Sequence, residues 1–373
     1  MASLLTIICV IGRRLLLAVP TVLAVSVIGF TLMRYDIDLG VWPVPRLDHP
    51  GQWTTIHWHF KNPIDPLAEL KQNPLISPAV IETETKRLGL DQPLPVQYWR
   101  WLCHVMGLPG LSGIKSNPSE FFAPPNLGKT VNGEDVATQL AIRAGNTLLL
   151  NLGVIALTWA LAIPLGVYAA VHWRSNADRL MTLLAAIGMA APGFVVALVI
   201  AVICVRTHWL PVGGLKSVGA ETWPWWQQIG DTLMHLLLPM GILTVGGLAS
   251  LQRQMRGNLL DVLQAEYVRT ARAKGLPEHL VIYKHAVRTA INPLITLLGY
   301  ELAGLLSGSL LVEMVLNYPG LGQWTYNAVL QTDTNVVMAS LVMSATLLVV
   351  GNLLADILLS LADPRIRLET PAS

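Results

Sequence analysis

Apolar residues along this chain gather into long unbroken runs instead of alternating with polar ones. The runs cover 12–34, 146–171, 180–206, 233–252, 290–315 and 336–361, and each is apolar nearly all the way round. A bilayer core is crossed by about 20 such residues in helical form. The pattern therefore predicts an all-α membrane protein of six transmembrane helices. Between the first two runs lies a polar segment, 35–140, rich in Pro, Trp and charge, and the other connections are short. Three parts follow: 1–34 as the N-terminus with helix 1, 35–140 as an insert, and 141–373 as a core carrying helices 2–6. Pro192, flanked by Gly188 and Gly193, predicts a kink in the third span.

Composition agrees with the pattern. Of 373 residues, 53% are hydrophobic and 13% charged, and the mean hydropathy is +0.52. Soluble domains carry about 25% charged residues, so the polar surface here is too small to cover a water-soluble globule. Arg13 and Arg14 precede an apolar run, Leu15 to Met33, that is long for a secretory signal and lacks an A-x-A cleavage pattern; it reads as a retained first span. Cys9, Cys103 and Cys204 are scattered and form no disulfide or metal spacing.

Orientation follows from the basic residues beside the spans. Arg13, Arg14, Arg174, Arg179, Arg365 and Arg367 fall on one side, together with a cluster in 253–288: Arg253, Arg256, Arg269, Arg272, Lys274, Lys284 and Arg288. The short connections 207–232 and 317–335 on the other side contain only Lys216. Both termini and the basic loop are thus expected in the cytoplasm and 35–140 outside. The net charge of +2 is small, and nothing in it points to nucleic acid.

The loop 253–288 is the most informative stretch. Asn258 to Lys274 places Leu260, Leu263, Tyr267 and Ala271 on one helical stripe, with Arg269 and Arg272 on another face. Gly275 suits the residue after a helix end, and Pro277 forbids continuation. A second helical run starts near Glu278. Two readings fit: a docking element for a partner protein, or a basic segment lying on anionic headgroups.

The stretch Glu266 to Pro277 (EYVRTARAKGLP), with Lys284 to Pro293 (KHAVRTAINP) after it, resembles the coupling loop of the dipeptide, oligopeptide and nickel ABC permeases. The triplet Arg269-Thr270-Ala271 stands before Gly275 as in that family's loop, without the leading acid of the wider pattern. Arg13 to Pro20 (RRLLLAVP), Leu88 to Tyr98 (LGLDQPLPVQY), Leu210 to Gly214 (LPVGG), His235 to Pro239 (HLLLP), Glu313 to Gly322 (EMVLNYPGLG) and Asp363 to Arg365 (DPR) are similar to further family segments, in the family's order. The match is to the first-permease, B-type branch. Two departures stand out: the external segment is long, around 35–62 and 111–126, and Glu301 lies in mid-span, where a neutral residue is usual.

The resemblance implies a type I ABC importer permease in a bacterial inner membrane. Its partners would be a second, related permease, two cytoplasmic ATPases that bind ATP and Mg, an extracytoplasmic binding protein and membrane lipid. Glu266, Tyr267, Arg269, Thr270, Ala271, Arg272, Lys274, Gly275 and Pro277 would form the ATPase-coupling loop. No catalytic, metal or cofactor set is expected. Glu301 either lines the pathway or hydrogen-bonds a neighbouring helix. Gly304 and Gly308 form a G-x-x-x-G pattern that suits packing within the subunit or across a permease dimer. Glu313 reads as structural, beside the turn Tyr318 to Gly322. The rival readings are an ion-coupled secondary transporter, which needs membrane-buried acids, and an intramembrane hydrolase.

Three other patterns read as coincidences. Ala123 to Thr130 fits a phosphate-loop spacing, but Pro124 and Pro125 lack the N–H groups that cradle phosphate. Ser112 has no histidine facing it within a span. His57 and His59, near His49, have no third metal ligand.

Overall fold

The computed structural model describes residues 2–34, 37–45, 53–60, 67, 71, 76–87, 90–108, 126–190, 192–303 and 309–362. Ser112, His49, Gly304, Gly308 and Asp363 to Arg365 lie outside them.

The chain is mostly helical. Helix α1 (Ala2–Arg34) is followed by a hairpin, β1 (Ile37–Pro45) and β2 (Trp53–Phe60), then by α2 (Pro78–Arg87) and α3 (Leu94–Val105). The next elements are α4 (Val136–Val171), α5 (Asn176–Ala190), α6 (Gly193–Thr207), a 3-10 turn (Ala220–Thr222) and α7 (Trp225–Leu263). After α7 come α8 (Glu266–Ala273), α9 (Glu278–Leu280), a π-helical turn (Val281–Val287), α10 (Arg288–Ala290), α11 (Asn292–Ala303), α12 (Leu310–Val315), α13 (Leu321–Leu330) and α14 (Thr334–Ala362).

The hairpin corrects the all-α expectation. Its strands pair antiparallel from Ile37 opposite Phe60 to Pro45 opposite Trp53, with an irregularity between Asp38 and Val41. Both are rich in the β-branched and aromatic residues that favour extended chain. His57 and His59 lie two apart on β2.

Among the described residues, three helices are long and apolar enough to cross a membrane: Val136–Val171, Trp225–Leu263 and Thr334–Leu354. The expected third span is not one straight helix. It is the pair α5 and α6, whose axes turn by 99° at the break before Gly193. Pro192 is the N-cap of α6 and carries no N–H to continue α5. The described part of the expected fifth span is divided between α11 and α12.

The chain divides into two units. The first comprises 1–18, 143–324 and 346–373. One core in it joins α4, α7, α8, the π turn and α11 through Ala162, Met255, Leu259, Val268, Val281 and Leu294. Another joins α6, α7 and α12 through Ala201, Leu238, Ile242 and Val312. Leu180, Leu183 and Leu198, by contrast, are more than half exposed. Wide apolar faces of this kind suit lipid and would be unfavourable in water.

The second unit comprises 19–142 and 325–345. Here Tyr98, the last residue of the LGLDQPLPVQY segment, lies 2.8 Å from Ser26 of α1, hydroxyl to hydroxyl. The Tyr98 ring also packs against Phe30 and Trp101. Gln97 donates to the carbonyls of Leu90 (3.2 Å) and Gln92 (2.7 Å), closing the turn ahead of α3. Lys129 of the phosphate-loop lookalike forms an isolated bridge with Asp135. No helix starts until Val136, so that stretch is not the entry to a phosphate site.

Candidate functional site

The loop expected to couple to a partner is built on α7, α8 and the π turn. Helix α7 ends at Leu263, and the chain breaks at Ala265, which is extended at ψ 145. Helix α8 then starts with Glu266, a carboxylate at the positive end of the helix dipole, and has Arg272 in its last turn. This break changes which residues face inward. The stripe through Leu260, Leu263, Tyr267 and Ala271 presumed one continuous helix. Instead Val268 (0% exposed) and Ala271 (7%) are buried, and Tyr267 is 46% exposed. An eight-residue helix is marginal alone. It is held because Val268 and Ala271 enter the core with Met255, Leu259 and Val281. Burying a valine side chain contributes about 1.5–3 kcal/mol.

The end of α8 is closed by backbone and side chain together. Gly275 takes φ +76, a left-handed conformation that costs side-chain-bearing residues. Its N–H donates to the Arg272 carbonyl at 2.9 Å, and the Leu276 N–H donates to the Ala271 carbonyl at 3.4 Å. This is the paired Schellman closure. Pro277 then caps α9. Across the turn, Arg272 grips Glu278 with Nη2 at 2.7 Å from Oε1 and Nε at 3.2 Å from both oxygens. The hydrogen bond from Arg272 holds the Glu278 carboxyl below its ordinary range. Arg269 pairs with Glu266 at 2.9 Å, and the Thr270 hydroxyl donates to the Glu266 carbonyl at 2.9 Å.

The remaining surface of the loop is outward. Glu266, Tyr267, Arg269, Thr270, Arg272, Lys274, Gly275, Leu276 and Pro277 are all exposed. Beyond α9, the π turn buries Val281, Ile282 and Ala286 and leaves Tyr283 66% exposed. Such turns recur at functional positions in helices.

Glu301 and Glu313 are placed differently. Trp159 of α4 donates its Nε1–H to Glu301 Oε2 at 2.9 Å, so Glu301 hydrogen-bonds a neighbouring helix. Glu313 is wholly buried. Its Oε1 accepts from the Thr147 and Ser309 hydroxyls, each at 2.8 Å, and its Oε2 accepts from the Gln323 N–H at 3.0 Å. Around this carboxylate the Tyr318 hydroxyl donates to the Asn146 carbonyl (2.8 Å), and Asn146 Nδ2 donates to the Pro319 carbonyl (2.8 Å). The glycines of the turn have a steric reason. A Cβ on Gly320 would overlap the Glu313 carboxylate, and one on Gly322 would come within 2.9 Å of it.

Sequence reasoning had no signal for Thr147, Ser309 or Trp159. It also missed an ion pair between Asp178 and Arg256, whose only hint was an acid among arginines at the start of a span.

Comparison with known proteins brings these features together. The family model described as "binding-protein-dependent transport system inner membrane component" matches residues 162–368, which include the loop, Glu301 and Glu313. The oligopeptide transport system permease protein AppB of Bacillus subtilis is 35% identical over 356 residues, covering 95% of this chain and 98% of that protein. OppB of Mycobacterium tuberculosis, an oligopeptide transport system permease protein, is 34% identical over 309 residues, 81% of this chain and 90% of its own. The glutathione transport system permease protein GsiC of Pectobacterium atrosepticum is 34% identical over 294 residues, 78% of this chain and 85% of its own. With its apolar helices and this extent of similarity, the chain belongs to the family of binding-protein-dependent transport system inner-membrane components, the permease subunits of ABC importers.

Proposed function

We propose that this chain forms one half of the translocation pathway of an importer for peptides or similar small solutes, and that α8 with its glycine turn is the seat of a cytoplasmic ATPase. The observation that carries the docking role is the two-sided construction of α8. Val268 and Ala271 fix its inner face in the subunit's core, while Tyr267, Arg269, Thr270 and Lys274 stand outward on a backbone closed by Gly275. A rigid handle with a free polar and aromatic face is what a separate subunit can grip. The peptide substrate class rests on the names of the relatives, and a binding protein would supply the selection. We further propose six membrane spans, counting α5 with α6 and α11 with α12 as one each, both termini and the basic loop in the cytoplasm, and a second, related permease completing the pathway. ATP and Mg would be bound by two ATPase subunits. Alternating access would then follow from ATP-driven movement of the loops.

The arrangement of Arg272 determines the test. Reversing its charge breaks the pair with Glu278 that spans the glycine turn, so the informative variants are Tyr267→Ala and Arg269→Glu, whose side chains lie outside the core. The pair of Arg269 with the exposed Glu266 lies within α8 and does not span that turn. Combined, they are expected to abolish co-purification of the ATPase while membrane insertion stays intact. Full recovery of the ATPase with the double variant would remove the docking role.

A further inference from the structure

Asp178 is 3% exposed, at the start of α5. Arg256 of α7 meets it edge-on, with Nε 2.5 Å from Oδ1 and Nη2 2.9 Å from Oδ2. The Arg174 N–H adds a third bond, to Oδ2 at 3.0 Å. Elsewhere along the 15 residues of α5 only Ala185 is buried. Helix α5 lies along α7, with Gly188 beside Val245 and Ala249 at one end, and the ion pair is the polar tie between the two helices at the other. Arg256 is adjacent to Met255, which sits with Val268 and Ala271 of α8 in one core. Helix α6 belongs to the other core, with Leu238, Ile242 and Val312. Both halves of the broken span thus rest on α7, α5 beside its loop end at Arg256 and α6 farther along at Leu238 and Ile242, and a 99° turn lies between them.

We propose that Asp178 and Arg256 are positioning residues for transport: their two-pronged ion pair is the strut that passes movement of the α8 loop to α5, bending the span at Pro192. The proposal rests on the ATPase-docking reading of α8. Its physical basis is directionality. A two-point guanidinium–carboxylate pair fixes distance and angle together, whereas apolar contact is non-directional. Displacement of α7 at Arg256 then acts directly on the start of α5, whereas α6 meets α7 farther from the loop, at Leu238 and Ile242.

The test uses the assembled complex with its companion permease and ATPases in nanodiscs. Cys9, Cys103 and Cys204 are replaced by alanine, and spin labels are placed at Leu184 and Leu198, each 57% exposed. Trapping the ATPases with vanadate, which takes the place of the cleaved phosphate beside ADP, is expected to shift the label distance by a few ångström. In Asp178→Asn the shift should vanish while the ATPase still co-purifies and hydrolyses ATP. An unchanged shift in that variant overturns the proposal, as does the lack of any shift with the native pair. If Asp178→Asn does not accumulate, Arg256→Lys, which keeps the charge and loses the fork, is read by the same criterion. Failure of both to assemble marks the pair as a folding element and also overturns the proposal. Failure of the docking reading looks different: the Tyr267→Ala, Arg269→Glu chain would retain its ATPase.

Discussion

The Glu313 cage makes a quantitative claim about two residues seven positions apart in sequence. In Glu313→Ala, the Gln323 N–H and the Thr147 and Ser309 hydroxyls lose their common acceptor. A buried donor left unsatisfied costs about 1–3 kcal/mol, and the hydroxyls can rotate toward other acceptors while the Gln323 N–H cannot. With the space vacated by the side chain, a loss of about 3–5 kcal/mol follows. Gly320→Ala attacks the same contact from the other side, because its Cβ would occupy the carboxylate's place. Forcing a methyl into a packed site costs about 1–3 kcal/mol. In the double variant there is no carboxylate to collide with, so the second loss should largely disappear. The expected coupling is about 1–3 kcal/mol in favour of the double variant. Denaturant titration of the purified protein in mixed micelles would measure the four corners of this cycle. Additivity within about 0.5 kcal/mol would refute the reasoning, since residues that share no contact behave that way.

Other outcomes follow from the loop and from α4. Gly275→Val places a β-branched residue at φ +76 and should cost about 1–3 kcal/mol locally; ATPase co-purification is expected to fall, while insertion, checked by protease mapping, is unchanged. Glu278 has its folded pKa lowered by the Arg272 hydrogen bond, so the pair's contribution is present above the ordinary carboxylate range and is lost as pH falls through the lowered value. Because both side chains are 40% or more exposed, the effect is under about 1 kcal/mol and shrinks in salt. Protection of the Gly275 and Leu276 amides, taken relative to the intrinsic exchange rate at each pH, should fall on acidification, and the Glu278→Gln variant should show no such change. Trp159→Phe keeps a ring in the core and removes the donor to Glu301, for a loss of about 1 kcal/mol. A Glu301→Gln variant, which still offers an oxygen to the indole, should be milder in the same denaturant titration.

What could be read from sequence was set by range. The long apolar runs declare their helices because the bilayer leaves a backbone no other way to satisfy its N–H and C=O groups. The Gly275 and Pro277 stop is equally local, since φ and a missing donor are properties of one residue. Asn258 to Lys274, in contrast, contains no glycine or proline and reads as continuous helix. The chain nevertheless breaks at Ala265, because turning Val268 into the core beneath α8 requires a change of direction that no single residue announces. The same holds for the charges. Glu313 could be assigned to its turn from seven residues' separation, but its partner Thr147 is 166 positions away, and Asp178 is 78 from Arg256. A carboxylate in a membrane protein is conspicuous because an uncompensated one is so unfavourable there; its partner is usually an unremarkable hydroxyl or one arginine among many. The sequence thus exposes one half of each polar pair and conceals the other. For Asp178 and Arg256 the concealed half carries the mechanical consequence. The pair joins the loop end of α7 to the start of α5, so what looked like one more basic residue in a cluster of arginines is instead a joint.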